Sequence, residues 1–290
     1  MKIKYYFVAA FFMICMAFNS DRPAYQIYNN KGKEIKYSKM ISELKEADII
    51  LFGEMHDNPV GHWLELKLAK DLYEERKQNL ILAAEMFETD NQLMIDEYLS
   101  GKISSGKFDE DARLWKNYRT DYKPLLSFAK DNKLKFIGSN IPRRYAAIVF
   151  GKGFEALDSL STQAKSYIAP LPILYDSNLV SYKKMLDMKE GMGGQHINPN
   201  LPKAQAIKDA TMAYSILRNW SAGKQVIHYN GSYHSDNYEG IVWYLKQMNK
   251  NLKVMTISSV YQGQLDSLNK ESEGLGDFII AVEEDMTRTY

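Results

Sequence analysis

Two copies of one short pattern, Gly-x-x-His, carry the most suggestive chemistry in this chain: Gly53-Glu-Met-His56 and Gly231-Ser-Tyr-His234. Each follows a short apolar, β-branched run, Ile49-Ile-Leu-Phe52 in the first case and Val226-Ile227 in the second. Glu85-Met-Phe-Glu88 follows a third such run, Leu80-Ile-Leu82, and Gly138-Ser-Asn-Ile-Pro-Arg-Arg144 follows a fourth, Lys135-Phe-Ile137. Two carboxylates and two imidazoles are enough to hold a divalent metal, or to serve as a general acid and base that activate water. They are also enough for a buried polar network that only stabilises loops. Glu54, His56, Glu85 and His234 are therefore the candidate catalytic or metal-ligating set. Taken singly, each has a plainer role, as a helix cap or a satisfied structural histidine.

Other polar residues nearby read differently. His62 lies six residues beyond His56, a spacing that suits neither helix nor strand, and is taken as structural. His228 falls inside an apolar run, as a packed core histidine would. Arg143 and Arg144 follow Pro142 at a helix start, where one can clamp a carboxylate and the other point to solvent. No nucleophile motif and no pair of histidines one helical turn apart is present.

The elements that must position these residues alternate. Further apolar runs occur at Val254-Met-Thr-Ile257 and Phe278-Ile-Ile280, and helical patterns at 63–76, 122–132 and 237–248 separate several of the runs. Strand–helix alternation predicts an α/β fold with a mainly parallel central sheet flanked by helices, which brings the carboxyl ends of the strands to one face. Tyr25 to Gly32 reads as an edge hairpin. Helical patterns at 142–150, 179–189 and 203–220 predict an inserted helical subdomain over about 142–222, within a single domain of residues 24–290. The Gly- and Pro-rich stretch 191–202 must be a loop.

With 45% hydrophobic and 25% charged residues and a net charge of +1, the chain is an ordinary globular protein with no basic excess, which argues against nucleic acid as a partner. Lys2 and Lys4 precede an uncharged apolar run from Tyr5 to Phe18, too short to span a bilayer as a helix. This predicts a signal peptide, residues 1–17, cut after Ala17. Cys15 could instead be the lipidated residue of a lipoprotein, although Ile14 suits that motif poorly. The expected location is the periplasm, or the bacterial envelope as a membrane-anchored lipoprotein, with the outer membrane as one such site. The single cysteine leaves no thiol pair for a disulfide.

Five segments together resemble a known family: Leu51-Phe-Gly-Glu-Met-His56, Ala84-Glu-Met-Phe87, Gly138-Ser-Asn-Ile-Pro-Arg143, Ala204-Gln-Ala-Ile-Lys-Asp-Ala-Thr-Met-Ala213 and Gly231-Ser-Tyr-His234. In order and content they are similar to the ChaN-like haem-binding uptake family of the Tiki superfamily, which also includes erythromycin esterases and Tiki-type proteases. The resemblance implies an α/β core with a helical subdomain. It puts Glu54, His56, Glu85 and His234 in the superfamily's site positions, and Asn140 and Arg143 on its third-strand motif. ChaN-like members are associated with haem or iron uptake at the bacterial envelope, whereas other branches use similar residues for hydrolysis.

Two functions follow. The preferred one is an exported envelope protein that binds haem for haem or iron uptake and works with envelope transport components. Met185, Met188 and Met192 recur at helical spacing before the loop that carries His196, an adaptable apolar face for a flat ring. A Met stripe of this kind is otherwise ordinary helix-pair packing. His196 is the leading axial ligand, with Met192, Met188, Tyr175 and Tyr182 behind it; Arg143 or Arg144 would meet a propionate. A second copy would complete the open face, so that a homodimer forms when haem binds. The alternative is a hydrolase in which Glu54, His56, Glu85 and His234 hold a divalent metal or activate water directly. A third, weaker reading keeps the same four residues as a structural relic.

Overall fold

The computed structural model of the protein describes residues 23–187 and 198–290. The leader, Cys15 included, and Met188, Met192 and His196 lie outside the described residues.

The runs of β-branched residues form seven strands. In chain order the elements are β1 (Tyr25–Asn29), α1 (Tyr37–Leu44), β2 (Ile49–Glu54), α2 (Pro59–Arg76), β3 (Leu80–Glu88), α3 (Gln92–Leu99), α4 (Ser105–Asp111), α5 (Lys123–Asp131), β4 (Lys135–Asn140), α6 (Arg143–Lys152), α7 (Thr162–Lys165), α8 (Val180–Asp187), α9 (Leu201–Asn219), β5 (Gln225–Gly231), α10 (Ile241–Met248), β6 (Val254–Gln262) and β7 (Phe278–Glu283). They assemble into one sheet of order β1-β7-β6-β2-β5-β3-β4. All pairings are parallel except β1 with β7 at the edge. The expected edge hairpin is reduced to a turn and one bridge, Tyr28 to Glu34, because β1 spends its pairing on β7.

Alternation along the central strands sends successive side chains to opposite faces. Ile50, Phe52, Leu80, Leu82, Ile227 and Tyr229 join the core under α1, α2 and α5, while Ile49, Leu51, Ile81, Ala83 and Val226 join the core under α9 and α10. Burial on both faces explains why these runs are apolar throughout instead of alternating with polar residues.

Two helices matter for the site. Asn58 caps α2 by accepting the Gly61 N–H at 3.0 Å, with Pro59 at the first turn. Its buried stripe includes Leu64, Leu68 and Leu72 and also, unusually, His62 and Glu65. Helix α9 falls late in the region read as an insertion, yet it covers the main sheet: Ala210, Met212, Ala213 and Ile216 share a core with Ile49 and Ile137. Its small residues let it lie close to its neighbours, and Asp209 is buried among them.

Strand β3 runs further than the sequence suggested. Glu85 is inside it, not beyond it, and the register with β4 shifts between Ala84 and Glu88. Such an irregularity re-aims side chains at a strand end. Strands β4 and β5 likewise extend through Asn140 and Gly231.

Candidate histidine–carboxylate site

The carboxyl ends of β2 and β5 pack closely because their glycines allow it, and β3 brings Glu85 to the same point. A Cβ on Gly53 would lie 2.9 Å from the Ile257 carbonyl oxygen and 3.0 Å from Ser232 Cα. A Cβ on Gly231 would lie 2.7 Å from His56 Nε2. Each glycine of the two Gly-x-x-His elements thus marks a close approach that a side chain would block. Gly231 is also the joint between the two elements. Its N–H donates to Glu85 Oε2 at 2.8 Å, and Glu85 Oε1 stands 3.2 Å from His234 Nε2. Glu54, His56, Glu85 and His234 are therefore gathered around one backbone position.

On the α2 side, Glu54 is buried and accepts two hydrogen bonds at Oε1, from His56 Nδ1 at 2.6 Å and from the Tyr122 hydroxyl at 2.7 Å. Its Oε2 lies 3.2 Å from His62 Nε2, and His62 Nδ1 lies 3.3 Å from Asp121. Asn117 bridges Asp121 and the His56 carbonyl, at 2.6 and 2.9 Å. Trp115 sets its ring edge-on to His56, with centroids 4.8 Å apart. Burial alone would raise the Glu54 pKa, but the imidazoles of His56 and His62 hold it well below the usual carboxylate range. His56 is shifted upward: burial opposes its charge, but the hydrogen bond to Glu54 and the charges of Glu85 and Glu54 together outweigh that. Burial, followed by the Glu54 charge, pushes Glu65 well above the normal range. The two carboxyls of this pair are pushed in opposite directions, as expected for two acids sharing one dry compartment.

On the α9 side, His234 is held between two carboxylates, Asp209 at Nδ1 and Glu85 at Nε2. The Gln205 amide stands 3.0 Å from Nδ1. Burial disfavours the imidazolium, yet Glu85 and Asp209 raise the His234 pKa to about 10. Burial works against the Glu85 charge too, but His234, His56 and the Gly231 N–H bring its pKa down to about 2. Asp209 goes the other way, because its burial outweighs a cation it shares with Glu85. Its second oxygen accepts the Tyr182 hydroxyl at 2.8 Å. His234 is thus an imidazolium at neutral pH and can donate protons but not accept one. Among the described residues, the imidazole open to an incoming molecule is His56, whose side chain is 35% exposed.

The remaining candidates divide. His228 is a satisfied core histidine: Ser139 and Asn230 flank its nitrogens at 2.8 and 3.0 Å, and burial lowers its pKa to about 4. His62, read as structural, touches Glu54 from beneath. Arg144 pairs with Asp90 at 2.7 Å. Arg143 is exposed and makes no ion pair with a described residue. Tyr182 is buried and its hydroxyl is engaged by Asp209. Tyr175 is half-buried, stacked on Tyr182 with centroids 5.7 Å apart and met edge-on by Phe154 at 5.6 Å. Sequence reasoning missed Glu65, Asp121, Tyr122, Asp209 and Gln205. Gln205 and Asp209 stand four residues apart within a segment that carried the family resemblance, which places both on one helix face. His62 and Glu65 share a face in the same way.

Among the described residues, no group of three or more His, Cys, Asp or Glu side chains is arranged to hold a metal ion.

A family model described as haem-binding uptake, Tiki superfamily, ChaN matches residues 40–245. The structure of ChaN of Campylobacter jejuni with cofacially bound haem superposes with a TM-score of 0.66 at 19% identity, covering 89% of this chain and 97% of that one. An erythromycin esterase mutant, EreC in its open conformation, reaches a TM-score of 0.48 at 12% identity over 90% of this chain and 83% of that one. Among curated proteins, the chloroplastic RETICULATA-RELATED 5 of Arabidopsis thaliana is 26% identical over 199 residues, 64% of this chain and 26% of its own length. The chain thus spans about a quarter of that relative.

Proposed function

The chain belongs to the ChaN family of haem-binding uptake proteins in the Tiki superfamily, and from that premise we propose that it is an exported envelope protein that binds haem for haem or iron uptake. The observation that carries the reading is the extent of the family match, which takes in both Gly-x-x-His elements and all of the helical region between β4 and β5.

The described residues fit such a ligand. A porphyrin needs an apolar face, an iron ligand and cations at its rim. Phe150, Leu174 and Val180 are exposed apolar side chains on the segments around Tyr175. The Tyr175 hydroxyl has no hydrogen bond to a described residue, and the Arg143 guanidinium is exposed. Asn198 donates to the Phe150 carbonyl at 2.8 Å. Tyr175 and His196 are the ligand candidates, and Arg143 is preferred to Arg144 for a propionate because Asp90 already engages Arg144. When bound, haem would supply an iron centre for transfer to envelope transport components. Completion of the open face by a second copy would make dimerisation depend on haem.

The test is a haemin titration of the mature protein, followed by absorbance and by size-exclusion chromatography, in the wild type and in His196→Ala, Tyr175→Phe and Arg143→Gln. A specific Soret shift abolished by one ligand substitution supports the reading, and its absence in the wild type ends it. Mass spectrometry of envelope fractions tests export: a chain beginning after Ala17, or an acylated chain beginning at Cys15, is expected. A cytosolic chain that still starts at Met1 would contradict export.

One observation favours the hydrolase alternative. The partly exposed His56 is backed by an ionised, buried Glu54, the arrangement of an oriented acid–base group. Glu54→Gln abolishing a hydrolytic activity of the wild type, with no haem shift detectable, would transfer the assignment to that reading.

A further inference from the structure

Helix α8 is held mainly by polar contacts. Val180, Lys183 and Lys184 are exposed, and among its described side chains Tyr182 is the one large group that is fully buried. Two attachments fix it. The Glu239 carboxylate accepts the Val180 and Ser181 N–H groups at 2.8 and 2.6 Å, and Asp209 Oδ2 accepts the Tyr182 hydroxyl at 2.8 Å. Both are charge-assisted and directional, so their geometry matters more than that of apolar contacts.

Both attachments lead back to His234. Asp209 divides its oxygens, one on Tyr182 and one on His234 Nδ1. Glu239 belongs to the loop that follows His234, where Asn237 and Tyr238 hold left-handed φ values of 59° and 60°. Such backbone persists only when its surroundings over-determine it. Gly240 ends the loop at φ 53°, with its ideal Cβ position 2.4 Å from the His234 carbonyl oxygen and 3.3 Å from Asp209 Oδ2. A movement of His234 therefore meets both anchors of α8 at once. On its other side Tyr182 stacks against Tyr175, with ring planes 25° apart.

We propose that Asp209 and Glu239 form a two-point latch that couples the position of the His234 ring to α8 and the Tyr175 stack. Engagement of the histidine–carboxylate site by a ligand displaces the aromatic surface, and occupation of that surface displaces His234. The coupling is reciprocal because both events act on one linkage. Tyr182 and Glu239 are positioning residues in this scheme. The identity of the ligand on the Tyr175 surface, haem, rests on the function proposed above; the latch itself does not.

The test uses Tyr182→Phe, which removes one hydroxyl and keeps the ring, alone and combined with Glu239→Gln. Without haemin, hydrogen exchange of the α8 amides is expected to accelerate by about tenfold in the double variant while the central strands stay protected. The imidazole NMR signal of His234 is expected to shift in both variants. Unchanged exchange and an unchanged His234 signal in both would overturn the latch. With haemin, the wild-type His234 signal should move, and affinity should fall at least about fivefold in the double variant. Haemin binding that leaves His234 unmoved and is equally tight in the variants refutes the coupling while the haem assignment stands. If the exchange and NMR changes occur but the wild type binds no haemin, the latch is supported and the haem assignment falls.

Discussion

The α2 side and the α9 side of the site use the same chemical groups and satisfy them differently. On the α9 side, both oxygens of Asp209, Glu85 Oε2 and His234 Nδ1 are hydrogen-bonded within the protein, and Glu85 Oε1 stands 3.2 Å from His234 Nε2, so that the imidazole has a carboxylate at each end. On the α2 side, Glu54 Oε2, both oxygens of Glu65 and both nitrogens of His62 are buried without a well-aligned hydrogen bond. His62 approaches Glu54 closely but not in line. A satisfied network rigidifies, whereas an incompletely satisfied one has polar capacity left for a substrate, solvent or a shifting proton. The difference separates a support that defines the shape of the site from a working face that includes the accessible His56.

That contrast predicts unequal responses to substitution. The largest belongs to the clamped side: Asp209→Ala strips a buried imidazolium of one partner and should cost about 3–5 kcal/mol in denaturant unfolding. A loss below about 1 kcal/mol would mean that the clamp is not load-sharing as drawn. A reversible form of the same loss should follow pH. The His234 pKa is raised from 6.5 to about 10, so its stabilisation is complete below about pH 6.5 and disappears as pH rises toward 10. The Glu85 pKa is lowered from 4.5 to about 2, so its stabilisation is complete above about pH 4.5 and disappears as pH falls toward 2. Stability of the wild type should therefore have a plateau between these limits, and His234→Gln should remove the alkaline decline selectively.

Gly231→Ala joins the two sides. The new methyl group would overlap the His56 ring, and His56 can swing outward because it is partly exposed. We expect a moderate stability loss of about 1–3 kcal/mol with the Glu54–His56 hydrogen bond broken. Loss of the low-field His56 proton signal in NMR would report the rupture, and its retention would show that the backbone yields instead. The smallest effect is expected at Glu65→Gln. Burial and the Glu54 charge push this carboxyl toward its neutral form, and glutamine is a neutral isostere of that form, so stability should change by less than about 1 kcal/mol. A large loss would show that Glu65 is ionised and that the α2 side is more completely paired than its hydrogen bonds suggest.

Much of the architecture was legible in the chain. The apolar runs at 49–52, 80–82, 135–137, 226–227, 254–257 and 278–280 all became strands, because a parallel sheet buried on both faces requires continuous apolar segments. The strand ends were less legible. Glu85 looked like a loop residue since a carboxylate breaks the apolar run, but β3 carries it to the site and continues to Glu88. The two Gly-x-x-His elements could be recognised as local patterns, and the topological rule for parallel strands brought their ends together.

Sequence by itself determined which residues carry reactive groups and which strand each follows, since these depend on local composition and on the period of the apolar pattern. Tertiary structure alone decided their charge. Which way each group is pushed, Glu54 down and Glu65 up, His234 up and His228 down, depends on burial and on partners distant in the chain. Tyr122 reaches Glu54 from 68 residues away, and Asp209 reaches His234 from 25. Desolvation and Coulomb interactions act through space, and only the packed fold sets the distances on which they depend.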